Sequence, residues 1–191
     1  MSNDDIFQDY PRQLSASTEP NAPVYTRLPG FYAVHGWRAD TPGVEPVQTF
    51  ADDAIAIIKG EPNPAETSTD SDAASAGSEA ATVAKTKPGE AQQTLSPVYA
   101  QQSGGGTASM AVPTGRVFIR FADAVKVADR ESEIRSAGYE VGQTLDYAPH
   151  AAWLRARSGN IADALNGVAM LAKLADVENV EPQLLTQASY R

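Results

Sequence analysis

The residues from Gly115 to Arg191 switch between two hydrophobic periods, and that switching constrains the fold more than any other feature of the chain. In GRVFIRFA, Val117, Ile119 and Phe121 alternate with Arg116, Phe118 and Arg120, the period of two that a strand with one buried face requires. Further on, Ile161, Ala164, Leu165, Val168, Leu171, Ala172 and Ala175 recur with the spacing of a helix stripe. By the same reading YEVGQTLDY, HAAWLRAR and ENVEPQLL are strands and VKVADRESEIRSAG is a helix. The order strand–helix–strand–strand–helix–strand predicts an α+β fold of the ferredoxin-like βαββαβ kind, an antiparallel sheet with two helices on one face.

Local signals mark the boundaries. Gly138 stands where the first helix must stop before Tyr139 opens a strand. Ala148–Pro149 predicts the turn between the second and third strands, and Asn160 a helix N-cap. Pro182 lies within the last strand, and because proline cannot donate to a ladder that strand is expected at an edge.

The rest of the chain is less strongly patterned. Residues 1–23 are polar and proline-bearing, and are expected to be disordered. Residues 24–60 predict a small αβ element: VYTRLPGFYAVHGW supplies one or two strands. In FADDAIAIIKG, Phe50, Ala54, Ile57 and Ile58 share one helical face before Gly60. Residues 61–112, rich in Ala, Ser, Thr, Gly and Pro, read as a disordered linker with a root-mean-square span of about 40 Å. That leaves 113–191 as the second ordered piece.

Charge follows this division. The whole chain carries a net charge of −9, yet residues 113–191 hold 10 acids and 9 bases. An acidic chain without a basic face argues against a nucleic-acid partner. No apolar run reaches the length of a membrane span, so no membrane partner is expected. The opening MSNDDIFQDYPRQ is acidic with no apolar core, so no secretory signal is visible and the default expectation is cytoplasmic. With no cysteine, a disulfide framework, a cysteine-ligated zinc and a cysteine nucleophile are excluded.

Several segments of 115–185 carry a resemblance: the opening strand GRVFIRF, the passage Glu131–Val141, the strand AAWLRAR, and LADVENVEP at Leu174–Pro182, where Val177, Val180, Glu181 and Pro182 fit a V-x-x-V-E-P pattern. On these residues the unit resembles the propeptide domain of subtilisin-family serine proteases. Gln183 stands where that family often has Asn, and a protease domain is not expected to follow. The resemblance implies a non-catalytic inhibitor or folding chaperone of a subtilisin-like serine protease encoded separately and met in trans. It implies that the tail Gln187, Ala188, Ser189, Tyr190 and Arg191 lies substrate-like in the protease cleft. It further implies that Asp146 caps exposed helix N-termini of the protease. Trp153, Arg155 and Arg157, alternating with Leu154, are the candidate contact residues of the sheet face that lacks helices. The competing reading is a two-headed adaptor, in which 24–60 grips a second protein partner.

Neither a cofactor nor a metal site is predicted. His35 and His150 are the two histidines, they sit in unlike segments, and no second His or Cys stands at ligand spacing from either. Gly106–Ala111 is similar to the nucleophile segment of subtilisins, with an additional alanine, but it lies within the expected linker, and a triad needs a base held by a carboxylate. The protein is therefore expected not to be an enzyme.

Overall fold

The computed structural model describes residues 6–38, 45–62, 93–101 and 109–186. It is an α+β protein built on one antiparallel sheet. The strands are β1 (Gln13–Ser15), β2 (Val24–His35), β3 (Gln48–Phe50), β4 (Ile55–Lys59), β5 (Thr94–Gln101), β6 (Met110–Phe121), β7 (Tyr139–Leu145), β8 (Ala148–Ala156) and β9 (Val177–Thr186). The helices are α1 (Glu131–Ser136), preceded by a 3-10 turn at Val127–Arg130, then α2 (Ile161–Asn166) and α3 (Val168–Leu171). The sheet runs β3-β4-β2-β5-β6-β8-β7, with β1 added to β2 and β9 to β6.

The C-terminal elements form where the periodicity placed them. Asn160 caps α2 by accepting a hydrogen bond from the Ala162 amide at 2.8 Å. Gly138, at φ 90°, closes α1 in the left-handed conformation that a glycine tolerates. The turn between β7 and β8 is Asp146–Tyr147, two residues earlier than expected, and Ala148–Pro149 begin β8. Pro149 lies outside the β6–β8 ladder, which spans 151–155, so its missing N–H costs nothing there. Among the described strands β9 pairs with β6 alone, the edge position Pro182 requires. The expected long second helix is two short ones meeting at Gly167. Beneath the helices Val117, Ile119, Phe121, Leu154, Leu171 and Val180 are completely buried.

Three expectations about the rest of the chain are corrected. Ile55–Lys59 is a strand, not a helix. A 3-10 turn at 51–53 ends with Ala54 in the left-handed region, and Ile55, Ala56, Ile57 and Ile58 are all buried between β2 and β3. A strand buried on both faces reads as a continuous apolar run, which a helix stripe imitates over so short a span. Thr94–Gln101, inside the expected linker, is an inner strand whose residues 95–100 are buried. Residues 110–112, also inside that linker, begin β6, and 63–92 and 102–108 lie outside the described residues. Residues 6–23, within the segment expected to be disordered, form a strap that packs Phe7 and Leu14 into the core. The Tyr10 hydroxyl donates to Leu95 O at 3.1 Å, Tyr99 to Pro11 O at 2.8 Å, and Asn166 Nδ2 to Asp9 O at 2.7 Å. At its far end Thr18 donates its amide to Val180 O (3.1 Å) and receives the Val180 amide on Oγ1 (3.0 Å), covering the outer edge of β9.

β6 joins the two parts of the sheet. Its first residues pair with β5 (Tyr99↔Ala111, Ala100↔Met110), and residues 116–120 pair with β8. β9 follows β6 along both stretches, so β5 and β8 share its other side end to end. Continuing the β5–β6 register would set Pro97 opposite Pro113, and neither has an N–H to give. The ladder stops there. Gly115, at φ 81°, lies in a register irregularity between Pro113 and Val117 and turns β6 toward its new partner. A Cβ at Gly115 would come within 3.1 Å of Ile161 Cγ1, so the turn and the packing of α2 both call for glycine.

Candidate binding surfaces

Two surfaces follow from this geometry. The first is the face of β9-β6-β8-β7 opposite the helices. Residues directly opposite one another in a sheet share a face. Gln143, Trp153, Phe118 and Glu181 therefore form one row across it, and Glu140, Arg155 and Arg116 the next. A bulge at Gly142 keeps both rows on one side although β7 has one residue more, and the Arg155 side chain packs over that glycine. The Phe118 and Trp153 rings lie 5.3 Å apart, tilted at 58°, and both are half-buried. Asp146 is exposed in the β7–β8 turn beside Tyr147, which is 85% exposed. Of the residues expected to contact a partner, Trp153 and Arg155 thus share this face, and Asp146 stands in the hairpin turn at its end. Arg157 lies beyond β8, in the turn leading to α2, and the tail 187–191 lies outside the described residues. Tyr139, an aromatic of the same region, is instead buried beneath α2, where its hydroxyl donates to Ala164 O at 2.6 Å and burial pushes its pKa up.

The second surface is a cleft of about 420 Å³ opened where β5 and β8 part. One wall carries His35, Asp53 and Ile55; the other carries Arg155, Arg157 and Asn160. Its floor is the turn of β6 itself. There Thr114 Oγ1 donates to Gln183 Oε1 at 2.7 Å and accepts the Arg116 amide at 3.2 Å, so the irregular backbone is held by a side chain. Arg116 and Glu140 also line the cleft.

Among the described residues His35 has no partners that would make it a hydrolytic base. Its Nε2 lies 2.9 Å from Ser96 Oγ, but Ser96 is completely buried and out of reach of a substrate. Burial lowers the His35 pKa to about 4, so the ring is neutral at pH 7. No described carboxylate is hydrogen-bonded to it, and a triad needs one to orient the base. His150 lies in β8, 3.5 Å from Asp123. Among the described residues no group of three or more His, Cys, Asp or Glu side chains is placed to hold a metal ion, and no helix is long and apolar enough to cross a membrane.

Sequence reading missed Arg116 and the whole N-terminal wall of the cleft. The alternation of Arg116, Phe118 and Arg120 shows which residues share a face of β6, but not that Arg116 lies opposite Arg155. No protein-family model, curated protein or solved structure matches the chain.

Proposed function

We propose that the protein is a non-catalytic binding protein whose C-terminal part is a ferredoxin-like unit, acting as a stand-alone propeptide-like inhibitor or folding chaperone of a separately encoded subtilisin-like serine protease. The observation that carries the proposal is the arrangement of 110–186. The four strands β9-β6-β8-β7 are all antiparallel and have helices packed on one face. In their chain order they are fourth, first, third and second, the order expected of a ferredoxin-like unit. The opposite face presents the Phe118–Trp153 pair with Arg155 beside it and Asp146 at its end. Half-buried aromatics beside arginine are the side chains that most often anchor protein interfaces. The motifs GRVFIRF and VENVEP, which resemble those of subtilisin propeptides, fall on β6 and β9. The tail Gln187–Arg191 follows β9 and would enter the protease cleft as an extended strand.

The test is inhibition of a panel of subtilisin-like proteases by the full chain, by the chain lacking 187–191, and by Trp153→Ala. Both altered forms are expected to inhibit at least about tenfold more weakly, Trp153→Ala by loss of a central anchor. Inhibition of no panel member, and no acceleration of their refolding, would overturn the reading. Inhibition unchanged by the truncation would remove the tail from it.

A further inference from the structure

We propose that the cleft at the turn of β6 binds a small oxyanion ligand, a molecule bearing phosphate or carboxylate groups, through Arg116, Arg155 and Arg157. The inference goes beyond the protease reading and does not depend on it.

Its first basis is a cluster of arginines that no ion pair among the described residues engages. Arg116 and Arg155 are directly opposite on neighbouring strands, on the same face. Like charges so placed destabilise a sheet. Glu140 lies opposite Arg155 on the other side, yet among the described residues none of Arg116, Arg155 and Arg157 forms an ion pair. Of the other described arginines of 113–186, Arg135 on the exposed side of α1 also has no ion pair, whereas Arg120 and Arg130 do. Arg120 meets Glu178 at 3.4 Å and Glu19 at 3.8 Å, and Arg130 meets Glu133 at 2.9 Å and also Asp176. In a chain with 24 acids and 15 bases, carboxylates are plentiful. Three of the four described arginines of 113–186 that have no ion pair stand together at one cleft, and that clustering is the informative feature.

The second basis is shape. The cleft's volume, about 420 Å³, lies in the range of small-molecule sites. It opens where the β5–β6 ladder has ended and β6 pairs with β8 instead, so the opening belongs to the backbone and not to side-chain placement alone. Guanidinium forks match the paired oxygens of a phosphate or carboxylate and hold them bidentately. Asp53 and Glu140 line the same cleft, leaving an excess of one positive charge over three arginines and two carboxylates. That balance favours a ligand with one or two oxyanion groups over a long polyanion. It is also why the acidic character of the whole chain does not exclude anion binding here.

The experiment is calorimetric titration of the full chain with inorganic pyrophosphate and, separately, with citrate, at ionic strength matched with sodium chloride. Saturable one-site binding of at least one of the two is expected. The tighter of them identifies phosphate or carboxylate as the recognised group. Arg116→Gln and Arg155→Gln should each weaken binding at least about tenfold, the usual consequence of losing a charge-assisted bidentate contact. Arg135→Gln, on the exposed side of α1, should leave it unchanged. Arg157→Gln, in the exposed turn after β8, gives a third reading that does not depend on either strand variant folding. Absence of saturable binding by both anions, or binding unweakened in all three cleft variants, would overturn the proposal.

Discussion

Replacing Gly167 by alanine should destabilise the protein, although backbone preference alone points the other way. Gly167 joins α2 to α3 at φ −79°, ψ −9°, an ordinary helical conformation. Alanine there would normally favour the helix by about 0.8–1 kcal/mol. The space is not free, however. A Cβ on Gly167 would stand 2.7 Å from Tyr139 Cε2 and 2.9 Å from Cζ, and closer still to the hydroxyl. Tyr139 is 1% exposed and anchored by its bond to Ala164 O, so the ring cannot swing aside without vacating the core. Overpacking of this kind costs about 1–3 kcal/mol. If the ring moves far enough to break its hydrogen bond, a buried polar group left unpaired adds about 1–3 kcal/mol. After the alanine preference is subtracted, the net loss should be about 3 kcal/mol. Urea unfolding of the wild type, Gly167→Ala, Tyr139→Phe and the double variant measures it. Removing the phenol oxygen should relieve part of the clash, so Gly167→Ala should cost about 1 kcal/mol less when combined with Tyr139→Phe than it does alone. A neutral or stabilising Gly167→Ala would refute the packing of α2 on β7 described here.

Two further outcomes are expected. Leu171→Ala should cost about 2–5 kcal/mol in the same assay, since Leu171 is wholly buried against the sheet; a loss below about 0.5 kcal/mol would show that this helix stripe is not core. His35 should make stability fall with acidity. Its pKa is about 4 in the folded chain against 6.5 unfolded, so below pH 6.5 the unfolded state gains a proton that the folded state does not, and the loss is complete once pH drops through 4. His35→Gln should remove up to about 3 kcal/mol of that decline, and an unchanged pH profile would show that His35 is not buried neutral.

The sequence alone determined the elements whose signals are local. The period-two run Val117–Phe121 is a strand, the stripe from Ile161 is helical, and Asn160 and Gly138 act as caps, because each depends on residues within a turn or two of itself. Pro182 placed β9 at an edge for the same reason: a missing N–H excludes one neighbour whatever the rest of the chain does. Gly167 interrupts the stripe without altering its face, so the break between α2 and α3 does not show in the pattern.

Only the tertiary structure decided the rest, and in each case a partner distant in sequence was responsible. Ile55–Lys59 is a strand because it pairs with β2 and β3, and core side chains cover both its faces, Phe7 and Leu95 that of Ala56 and Ile58, Val98 and Val112 that of Ile55 and Ile57, erasing the alternation that would have announced it. TLSPVYAQ reads as linker because it lies within a stretch rich in Ala, Ser, Thr, Gly and Pro, but it pairs with β2 and β6, strands on either side of it, and its residues 95–100 are buried there. Residues 6–23 carry few apolar groups, yet Phe7, Tyr10 and Leu14 find pockets made by strands far along the chain. The meeting of Arg116 with Arg155 is a matter of register. A one-residue slip between β6 and β8 would have set Arg116 opposite an apolar residue instead, and register is specified by the packed core, not by the two strands that express it.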